Sequence, residues 1–164
     1  MNEIWAGIQA AFRLIMTLDA DLVEITLRSL QVSLSALVIA SIFALPFGTW
    51  LALSRFRFRR TAIASLNALM GLPPVVVGLI VYLLLSRSGP FGVLGLLFTP
   101  TAMIIAQVII ITPLIASITH QAMRELWAEY HDLLISLNTT KSQRILTLIR
   151  DGRRTLLTAA LAGF

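Results

Sequence analysis

SLQVSLSALVIASIFALPFGTWLALSRFRFRR, residues 29–60, decides the fold class. Between Arg28 and Arg55 there are 26 consecutive uncharged residues, and four arginines then fall within six positions. A helix needs about 20 mostly apolar residues to cross the hydrocarbon of a bilayer, so residues 29–53 are long enough for one span. Arginines next to a span stay on the cytoplasmic side. Arg55, Arg57, Arg59 and Arg60 are therefore topology residues, and they orient the span inward with loop 55–60 in the cytoplasm. A nucleic-acid patch is the competing reading of RFRFRR, but so short a loop between two spans gives a duplex little room. Within the span, Ser33, Ser35, Ser41 and Gly48 are small enough to let helices approach closely in lipid. Pro46 removes an amide donor and is expected to kink the helix or free a carbonyl.

The same pattern repeats downstream. Another 26 uncharged residues separate Arg60 from Arg87, and 36 more run from Ser88 to Met123. These give spans at about 61–85 and 101–119. The second contains Gly71, Pro73, Pro74 and Gly78. Two adjacent prolines delete two donors and restrict the residue before them, which predicts a broken or kinked helix. Such a break serves either packing or a flexible element beside a pathway. SRSGPFGVLGLLFTP, residues 86–100, reads as a turn on the outer side, marked by glycine and proline and carrying only Arg87 as a charge. In the third span Gln107 and Pro113 are the polar and kinking features. Gln107 is expected chiefly to bond across helices.

Residues 120–154 differ in kind, holding ten of the 21 charged residues. Leu126, Leu133, Leu134 and Leu137 follow a helical period. Asn138, Thr139 and Thr140 interrupt it, and a threonine can cap a second helix with Ile145, Leu146 and Leu148 on its apolar side. This reads as a cytoplasmic helix–turn–helix, longer than the usual connection between two helices. At the chain's start, residues 3–18 (EIWAGIQAAFRLIMTL) fit a short interfacial helix with Trp5 at headgroup level. The acidic stretch Asp19, Asp21 and Glu24 completes an external segment over residues 1–28. Glu3 and the lack of a basic start argue against a cleaved signal peptide. At the other end TLLTAALAGF, residues 155–164, reads as the start of a fourth transmembrane helix in a C-terminally truncated chain, or else a short re-entrant piece.

Composition agrees with an all-α, polytopic membrane protein. The 164 residues are 57% hydrophobic and 13% charged, where a soluble domain carries about 25% charge. The absence of cysteine excludes disulfides and thiolate metal sites. Lys141 lies in NTTKSQ without the glycines of a phosphate loop. His120 and His131 lack metal-ligand spacing, and no Ser-His-Asp order or carboxylate pair is persuasive. No acidic residue lies within the three uncharged runs, which weighs against a carboxylate proton relay. These features point to no catalysis, no metal and no cofactor bound by the chain itself.

Three stretches carry a family resemblance: TLRSLQVSLSALVIASIFALPFGTWLAL (26–53), GLPPVVVGLIVYLLLSRSGPFGVLG (71–95) and HDLLISLNTTKSQ (131–143). The chain resembles the membrane permease subunits of bacterial and archaeal ATP-binding-cassette importers for oxyanions. It is most similar to the tungstate branch, with molybdate and sulfate permeases as relatives. The third stretch opens the cytoplasmic segment from about His131 to Arg154, which falls where the family places its ATPase-coupling helix. Asp132 occupies the acidic position of the family motif, Leu133 and Leu134 stand where alanines are usual, and Asn138 stands where glycine is usual. Asparagine tolerates the left-handed conformation such a turn needs.

The resemblance implies the type I importer permease fold and an ATPase-coupling set of Asp132, Leu133, Leu134, Leu137, Asn138, Thr139 and Thr140. It implies a pathway associated with Pro46, Gly71, Pro73, Pro74, Gly78, Gln107 and Pro113. It further implies a homodimer with a second permease copy, two ATPase subunits that carry ATP-Mg, an external substrate-binding protein and surrounding membrane lipid. The location expected is the plasma (inner) membrane, multi-pass, with the N-terminus outside and loops 55–60 and 120–154 cytoplasmic. Tungstate is the expected substrate, with a molybdate or sulfate importer as the alternative. A non-transporting membrane scaffold shares the spans and the basic loop without needing the Pro-Pro break or the charged inner segment, and a secondary transporter or channel would need coupling or filter residues outside residues 1–164.

Overall fold

A computed structural model describes residues 4–5, 7–8, 16–17, 19–54 and 56–164. Most of the interfacial helix expected over 3–18 lies outside the described residues, and so does Arg55. The described residues form helices and turns without a strand. The first long helix, α1 (Ala20–Leu53), has 34 residues, about 51 Å at the usual rise. Asp19 caps it, its Oδ1 accepting from the amides of Asp21 and Leu22 at 3.1 and 3.4 Å. The acidic stretch at 19–24 is thus the start of the helix and not a separate segment before the span. Carboxylates favour this end because the helix dipole is positive there.

The second apolar stretch is two helices. α2 (Arg59–Met70) and α3 (Pro74–Leu85) have 12 residues each and meet at an angle of 96°. Pro73 is the N-cap of α3 and Pro74 its first residue, where a missing amide costs nothing. Each helix is about 18 Å long, shorter than a bilayer's hydrocarbon core of about 30 Å. The pair is therefore a broken span or a re-entrant loop. A turn with one 3-10 segment, Gly92–Leu94, leads on.

α4 (Pro100–Ser136) runs unbroken for 37 residues, about 55 Å. The span expected over 101–119 stops where charges begin, yet the helix itself runs on. The helix continues because residues 120–136 contain no glycine or proline and are rich in good helix formers. α5 (Lys141–Asp151) and α6 (Arg153–Leu161) follow, with Gly152 between them. Among the described residues, α1 and α4 are each long and apolar enough to cross a membrane, and the α2–α3 pair makes a third crossing if it counts as one span.

α1 packs on α4 through residues spaced by four: Ala36, Ala40, Ala44, Gly48 and Ala52, all buried. Small residues at this spacing form one face and let two backbones approach, which is how helices associate in lipid. At Gly48 an added Cβ would sit 2.6 Å from the carbonyl oxygen of Ala116 and 2.8 Å from Thr119 Cβ. Of the small residues noted from the sequence, Gly48 falls in this four-residue repeat, and the Ser41 hydroxyl is buried beside it. Ser33 instead accepts a hydrogen bond from Gln107 Nε2 across the helix pair, at 3.2 Å. Leu66 of α2 joins the same core with Ile111 and Ile115. Val77, Val81 and Leu85 seat α3 against the N-terminal part of α4. A further cluster of Ala52, Met123, Leu134, Leu148 and Leu156 gathers α1, α4, α5 and α6 at the other end.

Candidate coupling site

Residues 131–143 form a turn whose shape follows from its own hydrogen bonds. α4 ends at Ser136, and Asn138 adopts φ 50°. The amide of Asn138 donates to the carbonyl of Ile135 at 2.9 Å, and that of Thr139 to the carbonyl of Leu134 at 3.3 Å. These two bonds with a left-handed residue between them are a Schellman motif. Asparagine is one of the few residues with a side chain that enters this region readily. Thr140 then starts α5 with a capping box. Gln143 N donates to Thr140 Oγ1 at 3.4 Å, and Thr140 N donates to Gln143 Oε1 at 2.9 Å. The two motifs abut, so the chain reverses within four residues and leaves few backbone groups free.

The turn sorts its apolar residues. Leu134 is buried with Met123 and Leu148, whereas Leu133 and Leu137 are exposed. Asp132 is fully exposed, with one carboxylate oxygen 2.9 Å from His131 Nδ1. The expected coupling residues therefore share one short segment but not one surface. Asp132, Leu133, Leu137, Asn138 and Thr140 are exposed, while Leu134 is interior and Thr139 is half-buried. Beside the turn lies an apolar groove of about 960 Å³ between α5 and α1, with Pro46, Trp50, Trp127, Ile135, Arg144 and Ile149 in its walls.

The residues expected at a pathway or kink are dispersed. Gly71 and Pro73 make the α2–α3 elbow, and a small apolar cavity of about 100 Å³ lies inside it, against Val77, Ile109 and Pro113. Gly78 is exposed on α3 with no neighbour near its Cα hydrogens. Pro46 and Pro113 lie within α1 and α4, which continue past them. Next to these prolines Thr49 donates to the Leu45 carbonyl and Thr112 to the Val108 carbonyl, at 2.8 and 2.6 Å. Gln107 holds Ser33, as above. Among the described residues no group of three His, Asp or Glu side chains is placed to hold a metal ion.

The arginines of loop 55–60 divide. Arg57 and Arg60 are exposed, but Arg59 is half-buried. Its Nε donates to the carbonyl of Leu51 at 3.0 Å and its Nη2 to that of Ala52 at 3.2 Å. Both carbonyls belong to the last turn of α1, where they lack intrahelical donors and the dipole favours a cation. His120 Nε2 of α4 lies 3.5 Å from the same guanidinium.

Residues 44–163 match the family described as "Binding-protein-dependent transport system inner membrane component". The chain belongs to this family. The matched region starts within α1 and takes in the elbow, α4, the turn and α6. A permease of this kind is a transport component and not a catalytic domain. Among named relatives, the "Tungstate uptake system permease protein TupB" of Peptoclostridium acidaminophilum is 37% identical over 92% of the chain and 66% of its own length. A "Probable anion ABC transporter permease protein" of Haloferax volcanii is 36% identical over 87% of the chain and 62% of its own length. The Campylobacter jejuni protein described as TupB is 26% identical over all of the chain and 69% of its own length. The chain thus spans just under two thirds of the first two relatives' length.

Sequence reasoning alone gave Arg59 the same role as its neighbours and gave Arg144 none. Arg59 stands out only once α1 and α2 fold back on each other. Arg144 stands four residues beyond the capping threonine, within α5's first turns and within reach of the turn, and that spacing is the signal that could have found it.

Proposed function

We propose that this chain is the permease subunit of an ATP-driven tungstate importer, coupled through residues 131–143 to a separate ATPase. The observation that carries the reading is the turn after α4. A long apolar helix continues past its uncharged part and ends in a rigid, doubly capped reversal that presents an acid and two leucines outward. A surface of this kind suits docking to another protein, since exposed apolar residues rimmed by charge mark interaction sites. Tungstate is supported by two relatives with that word in their names and one named for anions. Molybdate or sulfate is the alternative within the same family.

In this reading two permease copies enclose the pathway. ATP-Mg binds the partner ATPases, whose closure moves the turns at 131–143 and turns the pathway outward, and an external binding protein delivers the anion. The α2–α3 elbow is an adjustable element beside that pathway, because irregular backbone at membrane depth is tolerated where it faces protein or a cavity. The N-terminus lies outside and loops 55–60 and 120–154 lie in the cytoplasm of the plasma (inner) membrane, in keeping with the arginine bias. The test is reconstitution of the full-length permease with its ATPase and binding protein in vesicles. ATP hydrolysis and uptake are then measured with tungstate, molybdate and sulfate. Stimulation by tungstate above the others is expected. A response to sulfate alone overturns the substrate, and no response to any oxyanion overturns the function.

A further inference from the structure

Arg144 lies in the second turn of α5 and reaches back across the reversal. Its Nε donates to Thr139 Oγ1 at 3.2 Å. The Thr139 hydroxyl spends its only proton on the carbonyl of Leu134, at 2.6 Å. That carbonyl is one of the last four of α4, which have no partner within their own helix. The result is a directed relay from α5, through one hydroxyl, to α4. It spans the left-handed Asn138, the point about which the two helices would swing.

Arg144 is half-buried, and its side chain forms part of the groove wall between α5 and α1. The ordinary reading of an arginine at such a place is a solvated surface charge. Two observations argue otherwise. The guanidinium is engaged by a hydroxyl already committed to a helix terminus, and its planar geometry fixes the direction of Nε. On the far side of the groove stand Pro46 and Trp50, and beside it Trp127. An open groove gives α5 room to move toward α1. Among the described residues the relay, the Schellman bonds, the burial of Leu148 and the close packing of Gly152 on Met123 and Leu126 hold it to α4.

We infer that Arg144 is a positioning residue. Through Thr139 it fixes the angle between α4 and α5, so that a push on α5 is passed to α4 instead of being absorbed at the turn. This rests on the coupling role proposed above. The test uses the full-length protein in two arms. In the permease alone, with any cysteine beyond these 164 residues replaced by serine, nitroxides at Met103→Cys and Leu146→Cys, both exposed positions, report the distance distribution between the N-terminal part of α4 and α5. In the reconstituted importer, without labels, oxyanion taken up per ATP hydrolysed is measured.

Arg144→Gln, which removes one hydrogen bond, and Thr139→Val, which removes two, are each expected to broaden the distribution and lower uptake per ATP, by about two- to ten-fold for each net hydrogen bond lost. The double variant should be no worse than Thr139→Val alone, since both cut the same relay. Thr139→Ser, which keeps the hydroxyl, should restore both readouts. An unchanged distribution in Arg144→Gln, additive losses in the double variant, or Thr139→Ser as poor as Thr139→Val would overturn the relay. A broadened distribution with uptake per ATP unchanged would overturn the transmission of movement. If the native importer moves no oxyanion, the transport reading fails and the transmission with it, while the distances still decide the relay.

Discussion

Replacing Gly48 by valine tests whether close approach of α1 and α4 holds the helices together. The Cβ added there would lie 2.6 Å from the Ala116 carbonyl oxygen and 2.8 Å from Thr119 Cβ. A carbon in ordinary contact needs about 3.5–4.0 Å. The obstacle is helix backbone, which cannot rotate away, so the helices must part by about an ångström. Parting also loosens Ala40, Ala44 and Ala52 on the same face. Overpacking of this kind costs about 1–3 kcal/mol. Valine recovers roughly 0.4 kcal/mol of helix propensity over glycine, which leaves a net loss of about 0.6–2.6 kcal/mol. For a chain of this size that corresponds to a fall in Tm of roughly 1–10 °C. The control is Gly78→Val on α3, where an added Cβ meets nothing within 4 Å and the propensity gain stands alone. Thermal unfolding of the full-length protein in one detergent, followed by intrinsic fluorescence, compares the two. Equal Tm values for the two variants would refute the close-approach argument.

Further predictions bear on the turn, the arginine loop and the docking surface. Asn138→Val should destabilise the turn by about 1–2 kcal/mol, because a β-branched apolar residue is strained at φ 50° where asparagine is tolerated, and speed amide exchange at positions 138 and 139. Asn138→Gly should not, because glycine has no such penalty. Arg59→Met should lower stability by about 1–2 kcal/mol through the unpaired Leu51 and Ala52 carbonyls. Arg57→Met and Arg60→Met, at exposed positions, should leave Tm within about 1 °C because exposed charges contribute little. Asp132→Arg should reduce co-purification of the ATPase about ten-fold, as reversal of an interfacial charge commonly does, and leave membrane insertion intact. Unchanged co-purification together with unchanged uptake would refute a docking role for Asp132.

Much of this fold is legible in the sequence because hydrocarbon imposes a simple rule. Residues 29–53 and 101–119 announce helices by length and lack of charge, and no soluble core requires such runs. The elbow is legible from Pro73 and Pro74, which cannot continue an α-helix from Met70. Its angle of 96° is not, since it depends on how Leu66 and Val77 seat their two helices on α4. The run of α4 to Ser136 is hidden by its own charges. They mark where water begins, while helix formation depends on breakers, and none occurs between His120 and Asn138. The alanine face of α1 is written plainly as a four-residue repeat, yet serines and glycine draw attention first as the better-known small residues of membrane helices. At the turn, Asn138 and Thr140 declare their conformations through side-chain chemistry. The division of Arg59 from Arg57 and Arg60 has no local signal, because it depends on where the end of α1 lies when α2 doubles back.

One consequence follows from α4 being a single piece. It crosses close to α1 at Ala116, where Gly48 leaves no room for a Cβ. From Ala116 to Ser136 is about 30 Å along the axis, and from Ala116 to Pro100 about 24 Å. Such a rod, rocking about that crossing, acts as a lever with nearly equal arms. A sideways displacement of about 3 Å at the turn would move the opposite tip about 2.4 Å the other way. Pro113 lies less than one turn from the fulcrum, so any softness it introduces sits where bending torque is greatest. The stiffness of this short stretch sets how much of the stroke reaches the far end.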